Sequence, residues 1–171
     1  MNFKTFCESS FNDLFDSTVR AFPNTRKRQH ATAPIRISEV KATPFPGVKT
    51  LFLKCRATNE DREYSPMILF KGVAYRDGQG DGVVPVRVSG TETRYIEQLD
   101  RTKSNMLVRC DCNDFKWRFN YYDHLDRTLY GNKRAKYEGT GEPANPLQLP
   151  GMCKHVMAFV RDLSQFGLLA N

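Results

Sequence analysis

The sequence predicts an α+β protein with three successive parts: an N-terminal amphipathic helix, a small antiparallel β core, and a C-terminal ββα unit with a long insertion. Three observations support this class. Apolar residues near the N-terminus recur at steps of three and four, and apolar and polar residues alternate between positions 48 and 57. A Cys-x-Cys pair is followed, after forty residues, by Cys-x-His and a second helical pattern. We place the boundaries at residues 1–33, 34–104 and 105–171.

The N-terminal helix is predicted from one apolar stripe. We expect a capping box of Thr5 and Glu8 at its start and an end at Pro23. The stripe either packs on the rest of the chain or docks on a partner. Its members are Phe3, Phe6, Cys7, Phe11, Leu14, Phe15 and Phe22.

Short apolar runs separated by polar turns predict the β core. Strands are expected at residues 35–40, 48–57, 67–75, 83–88 and 105–109. Pro85 places the fourth strand towards a sheet edge. Cys55 is expected to be an ordinary core residue of the second strand. We predict a short helix at residues 93–99.

Composition and charge limit the class of protein. The chain is 40% hydrophobic and 26% charged, which excludes general disorder. No apolar run approaches the length of a membrane span, and the N-terminal residues do not resemble a secretory signal. The net charge of +7 is concentrated in residues 17–38, which contain no acid. Arg26, Lys27 and Arg28 therefore favour an anionic partner, nucleic acid or an acidic protein, unless they simply form a solvated turn.

Two pairs of potential metal ligands carry the strongest chemical signal. Side chains two apart on a strand point to the same side, so Cys110 and Cys112 can hold one ion. Residues two apart on a helix lie about 200° around its axis, so Cys153 must precede the helix and His155 must lie in its first turn. Three thiolates and one imidazole predict a Cys₃His zinc site.

Four protein ligands leave no position for water or substrate, so we expect the zinc to be structural. Two alternatives remain open: His124 could be the fourth ligand, or the four residues could be unrelated. A disulfide between Cys110 and Cys112 is disfavoured by strand geometry. His30, in the basic connector, is expected to be solvated.

These motifs resemble the SWIM-type zinc finger. Phe115 stands three residues after Cys112, and Cys-Lys-His-Val-Met-Ala opens the last apolar helix. The resemblance covers roughly residues 108–163. It implies that Cys110, Cys112, Cys153 and His155 ligate zinc in a ββα unit that binds DNA or mediates protein contacts. The spacer between the two pairs is longer than is usual in that family.

The insertion is also similar to small virion structural proteins of tailed bacteriophages. The similarity lies in Asp-Phe-Lys-Trp-Arg-Phe at 114–119 and in the Asn-Pro and Pro-Gly-Met-Cys-Lys-His segments within 145–155. It implies a protein made in the host cytoplasm that contacts other virion proteins in a symmetric capsid, neck, tail or baseplate. It implies no catalysis, no membrane and no small-molecule substrate. The alternative is a cytoplasmic SWIM-type module that binds nucleic acid.

An aromatic run at residues 115–122 alternates with basic and polar residues. On a strand, this pattern gives one aromatic face and one basic face, a combination that binds single-stranded nucleic acid. The opposite interpretation, an aromatic core around the zinc, is favoured because a small zinc module has few other apolar residues. The candidate contacts with nucleic acid or an acidic partner are Arg26, Lys27, Arg28, Lys116 and Arg118. The chain lacks the nucleophile-elbow, phosphate-loop and H-E-x-x-H motifs, so we predict that it is not an enzyme.

Overall fold

The structure is a computed structural model of the chain, and it describes residues 9–23, 32, 34–136 and 138–170. Its α-helices are α1 (Phe11–Ala21), α2 (Asn120–Leu125), which continues a π-helical turn (Phe115–Phe119), and α3 (Lys154–Gln165). Its strands are β1 (Arg36–Phe45), β2 (Thr50–Asn59), β3 (Arg62–Tyr64), β4 (Met67–Lys71), β5 (Tyr75–Arg76), β6 (Val83–Ser89), β7 (Glu92–Glu97), β8 (Leu99–Asp100), β9 (Met106–Arg109) and β10 (Leu169–Ala170). The predicted α+β class is confirmed.

Helix α1 starts later than the apolar stripe predicts. Ser10 is its N-cap, with the Ser10 side chain accepting from the Asp13 amide and the Asp13 carboxylate accepting from the Ser10 amide. This capping box satisfies two backbone N–H groups that the first turn leaves unpaired. The helix ends two residues before Pro23, close to the predicted end. The predicted Thr5–Glu8 box lies outside the described residues, as do Phe3, Phe6 and Cys7.

The larger sheet has the order β1-β2-β4-β9, with β3 paired to β2, and every pair in it is antiparallel. The alternation predicted for β2 is confirmed, because Leu51, Leu53, Cys55 and Ala57 are all buried. Strand β1 runs longer than predicted, to Phe45, because its end pairs with Thr50 and Leu51 across a tight turn.

A second, three-stranded sheet has the order β5-β7-β6. The helix predicted at residues 93–99 is wrong. Gly90, at a φ of +48°, closes a turn after β6 that returns the chain as β7 in antiparallel register. The pairing buries Ile96 completely, and this tertiary burial overrides the weak local preference of a charged segment. Strand β6, which contains Pro85, lies at the sheet edge as predicted.

Strand β9 joins the C-terminal part of the chain to the larger sheet. It pairs with β4, from Met67 opposite Arg109 to Phe70 opposite Met106. Helix α3 buries its apolar face in the same hydrophobic cluster as β2 and β4. The domain boundary that the sequence predicts at residue 104 stays a prediction, although the larger sheet contains strands from both sides of that residue. Among the described residues, no helix combines the length and apolar character that a bilayer crossing would need.

Candidate metal centre

Cys110, Cys112, Cys153 and His155 lie together in the fold. One ligand atom from each falls within 4.8 Å of the others, and all four side chains are buried. The predicted ligand set is therefore assembled as one cluster that could hold a metal ion. The described cysteines, these three and Cys55, all carry free thiols.

The first pair of ligands is placed by the end of strand β9. The strand stops at Arg109, so Cys110 and Cys112 lie just beyond it. The sequence prediction pairs these two side chains by strand geometry. The turn between them is fixed by the Asp111 carboxylate, which accepts a hydrogen bond of 2.8 Å from the Ser65 amide. The chain then becomes helical, and the Phe115 amide donates to Cys112 Sγ at 3.3 Å.

The second pair of ligands is placed by the start of helix α3. Cys153 is the N-cap, in extended conformation, and His155 lies in the first turn, as predicted. The positive end of the helix dipole therefore faces the thiols and favours their ionised form.

Three contacts that sequence reasoning missed hold the segment before Cys153. The Met152 amide donates to Thr18 Oγ1 at 2.9 Å, across 134 positions of sequence. The Gly151 amide donates to Asp123 Oδ1 at 2.8 Å. Ser17 Oγ donates to the Pro150 carbonyl at 2.7 Å. Helices α1 and α2 thus fix the segment that leads to Cys153. In the sequence, only the polar character of Ser17, Thr18 and Asp123 indicated such a role.

Gly151 lies where no side chain fits. A Cβ atom there would lie 2.6 Å from a ring carbon of Phe119 and 2.6 Å from Thr18 Oγ1. Both atoms belong to fully buried residues. Glycine is therefore required by close packing, two residues before a ligand.

The spacing of the cluster agrees with tetrahedral coordination. With Zn–S and Zn–N bonds of about 2.3 and 2.0–2.1 Å, tetrahedral ligand atoms lie about 3.6–3.8 Å apart. Cys110 Sγ lies 4.0 Å from His155 Nδ1, and the full set spans no more than 4.8 Å. An ion at the centre would need only small side-chain adjustments.

The three thiols of the cluster differ in the direction of their pKa shifts. Hydrogen bonds from Cys110 and Cys153 lower the pKa of Cys112 far below its usual range. The same contact with Cys112 raises the pKa of Cys110, and burial raises that of Cys153. The protein groups alone thus favour one thiolate. Bound divalent metal would be needed to ionise the other two at neutral pH.

The imidazole has two further features. The Tyr64 ring packs on it, with ring centroids 4.2 Å apart. His155 Nε2 is buried and has no hydrogen-bond partner among the residues that the structure describes. The nitrogen that faces Cys110 Sγ is Nδ1, at 4.0 Å, so a metal bond at Nδ1 would not by itself pair Nε2.

The aromatic run at 115–122 is helical, so the strand on which the nucleic-acid interpretation depends does not form. Phe115 and Phe119, four residues apart, are fully buried, whereas Trp117 is 43% exposed. The run is therefore partly core and partly surface. A strand would instead have placed all three rings on one face.

The predicted basic contacts have separate positions. Arg118 pairs with Asp114 at 2.7 Å and lies over the Phe22 ring, so its charge is used within the fold. Lys116 lies over the Trp117 ring at 4.5 Å. Arg26, Lys27 and Arg28 lie outside the described residues, as does His30. His124 is exposed on α2 and is not part of the cluster.

Comparison of the chain with known protein families, with curated proteins and with solved structures gives no match in any of the three. The resemblances to SWIM-type zinc fingers and to phage virion proteins therefore stay predictions. The structural conclusion for this site is coarser: four buried cysteine and histidine side chains lie close enough together that they could bind one metal ion.

Proposed function

We propose that the cluster binds one Zn²⁺ as a structural ion, in a SWIM-type arrangement. The observation that carries this proposal is the convergence of three buried cysteines and one buried histidine to within 4.8 Å. Such sets are typical of closed structural zinc sites, whereas catalytic zinc keeps a position for water. Zinc would be held by Cys110, Cys112, Cys153 and His155 and would neutralise most of their charge.

The ion would tie the end of β9 to the start of α3. Zinc binding in comparable small sites supplies about 10–16 kcal/mol of apparent free energy at pH 7. That range is similar to the whole stability of an ordinary domain, about 5–15 kcal/mol. We therefore expect the metal-free chain to lose its C-terminal structure and to melt at a clearly lower temperature.

Metal analysis tests this proposal. The purified chain should contain one zinc per molecule, and substitution with Co²⁺ should give the visible absorption of a tetrahedral thiolate complex. Cys112→Ser should reduce the zinc content and the melting temperature. Cys55→Ser is the matched control, since Cys55 is also buried but lies outside the cluster, so it should retain the zinc. Wild-type protein without stoichiometric metal, or octahedral Co²⁺, would contradict the proposal.

We further propose that the chain is a non-enzymatic assembly protein of a tailed bacteriophage virion. The support is the resemblance of residues 114–119 and 145–155 to that group, together with a closed metal site. An apolar groove of about 520 Å³ between β1, β6 and the end of α3 is also consistent with a protein contact. Val40 and Phe166 in its walls are 42% and 79% exposed.

Quantitative mass spectrometry of gradient-purified virions tests this second proposal. In particles of the phage that encodes the chain, it should be present in fixed ratio to the major capsid protein. Virions assembled with the Val40→Asp or Phe166→Asp variant should contain fewer copies of the chain than wild-type virions. Absence of the chain from intact particles would overturn the proposal and leave the zinc proposal unaffected.

A further inference from the structure

The turn between β1 and β2 exposes two apolar side chains. Phe45, at the end of β1, is 46% exposed, and Val48, at the end of the 3₁₀ turn Pro46–Val48, is 71% exposed. We call residues 45–48 the tip. Two exposed apolar side chains in one tight turn form a patch, which marks an interaction site more than an isolated apolar residue does.

The tip is held in one conformation by its neighbours. The Phe45 amide donates to Tyr75 Oη at 3.2 Å, and Tyr75 Oη donates to the Thr50 carbonyl at 2.5 Å. Pro44 and Pro46 flank Phe45 and restrict its neighbouring backbone angles. A tip that is already ordered loses little conformational entropy when it docks.

The groove between β1, β6 and the end of α3 has a size that suits such a tip. Leu53 and Leu163, both buried, line it, and Phe166 lines its open side. Its volume is about 520 Å³. Pockets of about 300–1,000 Å³ hold drug-sized ligands, so an aromatic ring and a short aliphatic side chain can enter together.

The tip cannot fill the groove of its own chain. Ala42 lines the groove and is buried, and Phe45 follows three residues later on β1, so the two side chains lie on opposite faces of the strand. Val40, in the groove wall, precedes Phe45 by five residues, which is about 17 Å of extended strand. The tip and the groove are therefore separate surfaces, and contact between them requires two copies of the chain.

The charges beside the two surfaces are complementary. Lys49 follows the tip and is exposed, and Asp162 lines the groove. Neither forms an ion pair with another residue that the structure describes. Glu39, the other acid of the groove, already pairs with Arg56 at 3.1 Å. Asp162 is therefore the acid that Lys49 of a second copy would meet.

We propose that the tip of one copy docks in the groove of a second copy, with Phe45 and Val48 against the apolar lining and Lys49 beside Asp162. The proposal rests on the assembly proposal, since it names the partner that the groove receives. Because the tip and the groove differ, repeated contacts build a ring or a filament, unless two copies exchange tips and form a closed dimer. A tip of four residues covers much less than the roughly 800 Å² per partner of a stable interface. Each contact is therefore weak, and many copies held together would strengthen it.

Sedimentation velocity of the zinc-loaded full chain across the micromolar range tests the proposal. Wild type should self-associate reversibly, with an average mass that rises above the 19.7 kDa of one chain as concentration increases. Val48→Asp, the tip variant, and Phe166→Asp, the groove variant, should each weaken association about tenfold or more. Phe45→Ala is a second, milder tip variant. Leu125→Asp is the matched control, since Leu125 is 61% exposed on α2, away from both surfaces, and it should associate like wild type.

Mixing the variants identifies the contact. A mixture of equal parts of Val48→Asp and Phe166→Asp should form dimers and nothing larger. The intact tip of one variant fits the intact groove of the other, and the two remaining surfaces are blocked. Lys49→Glu should also weaken association, and Lys49→Glu combined with Asp162→Lys in one chain should restore it.

Three results would overturn the proposal: a wild type that stays monomeric throughout the range, a mixture that stays monomeric, or association that only the groove variant loses. The last result would assign the groove to another segment of the second copy. Zinc content and melting temperature are measured on every variant, so loss of the fold is not mistaken for loss of association. Absence of the chain from virions would leave self-association of the purified chain unchanged, so the two proposals can fail separately.

Discussion

Replacement of Gly151 by alanine would test how the second ligand pair is positioned. The new methyl group would lie 2.6 Å from both a Phe119 ring carbon and Thr18 Oγ1. Overpacking of this kind costs about 1–3 kcal/mol. The shift of the loop would also strain the hydrogen bonds from Gly151 to Asp123 and from Met152 to Thr18, at about 1 kcal/mol each. We expect Gly151→Ala to lose about 3–5 kcal/mol of unfolding free energy.

The effect should extend to the metal, because Gly151 lies two residues before Cys153. Urea denaturation of the zinc-loaded protein measures stability, and competition with a chromophoric chelator measures zinc affinity. Gly141→Ala is the matched control, since no atom lies within 4 Å of its added Cβ. If Gly151→Ala were as stable and held zinc as tightly as Gly141→Ala, close packing at this glycine would not position the ligand.

Three further substitutions probe groups around the centre. Thr18→Val removes the acceptor for the buried Met152 amide and should cost about 1–3 kcal/mol in urea denaturation. Burial raises the pKa of the Asp123 carboxyl well above its usual range. The wild-type protein therefore has its full stability at pH values below the ordinary carboxyl pKa, and it loses stability as pH rises through the raised pKa. Asp123→Asn stays neutral, so its stability relative to wild type should increase as pH rises above the ordinary carboxyl pKa of about 4. Tyr64→Ala removes the ring that covers His155 and should speed zinc loss to a chelator, by up to about tenfold for a contact of about 0.5–1.5 kcal/mol.

Each of these expectations has its own control. Thr91→Val, at an exposed threonine, should leave stability within about 0.5 kcal/mol of wild type, and an equally small effect of Thr18→Val would contradict the first expectation. A pH-independent difference between Asp123→Asn and wild type would show that the carboxyl is ionised throughout. Tyr95→Ala, on β7, should release zinc at the wild-type rate, and the same rate for Tyr64→Ala would show that the ring does not protect the centre.

The ligand set could be predicted because each half of the motif is local. Two cysteines at the end of an extended segment, and a cysteine and histidine at the start of a helix, have fixed relative geometries. The alternation in β2 is local in the same sense. The spacing left open whether the two halves of the motif would meet in the fold. His124 was excluded as the fourth ligand only by its exposed position on α2.

The aromatic run shows why other features could not be predicted. Alternation at residues 115–122 fits a strand, but Phe115 and Phe119 also fit a helix, and eight residues do not distinguish these periods. Packing of both rings into the common core selected the helix. The same choice left Trp117 at the surface, which composition could not reveal. At residues 92–97 the opposite occurred, because pairing with β6 selected a strand.

The sequence by itself determined the α+β class, the main strands and the four residues of the metal cluster, because these depend on periodicity and on ligand chemistry over a few positions. Only the tertiary structure decided that Thr18, Asp123 and Gly151 would hold the loop before Cys153. Their contacts join positions up to 134 residues apart, and no local pattern records which distant polar group a buried backbone amide will find. The physical reason is that such amides must be paired within the folded chain, and the available partner depends on how the helices pack.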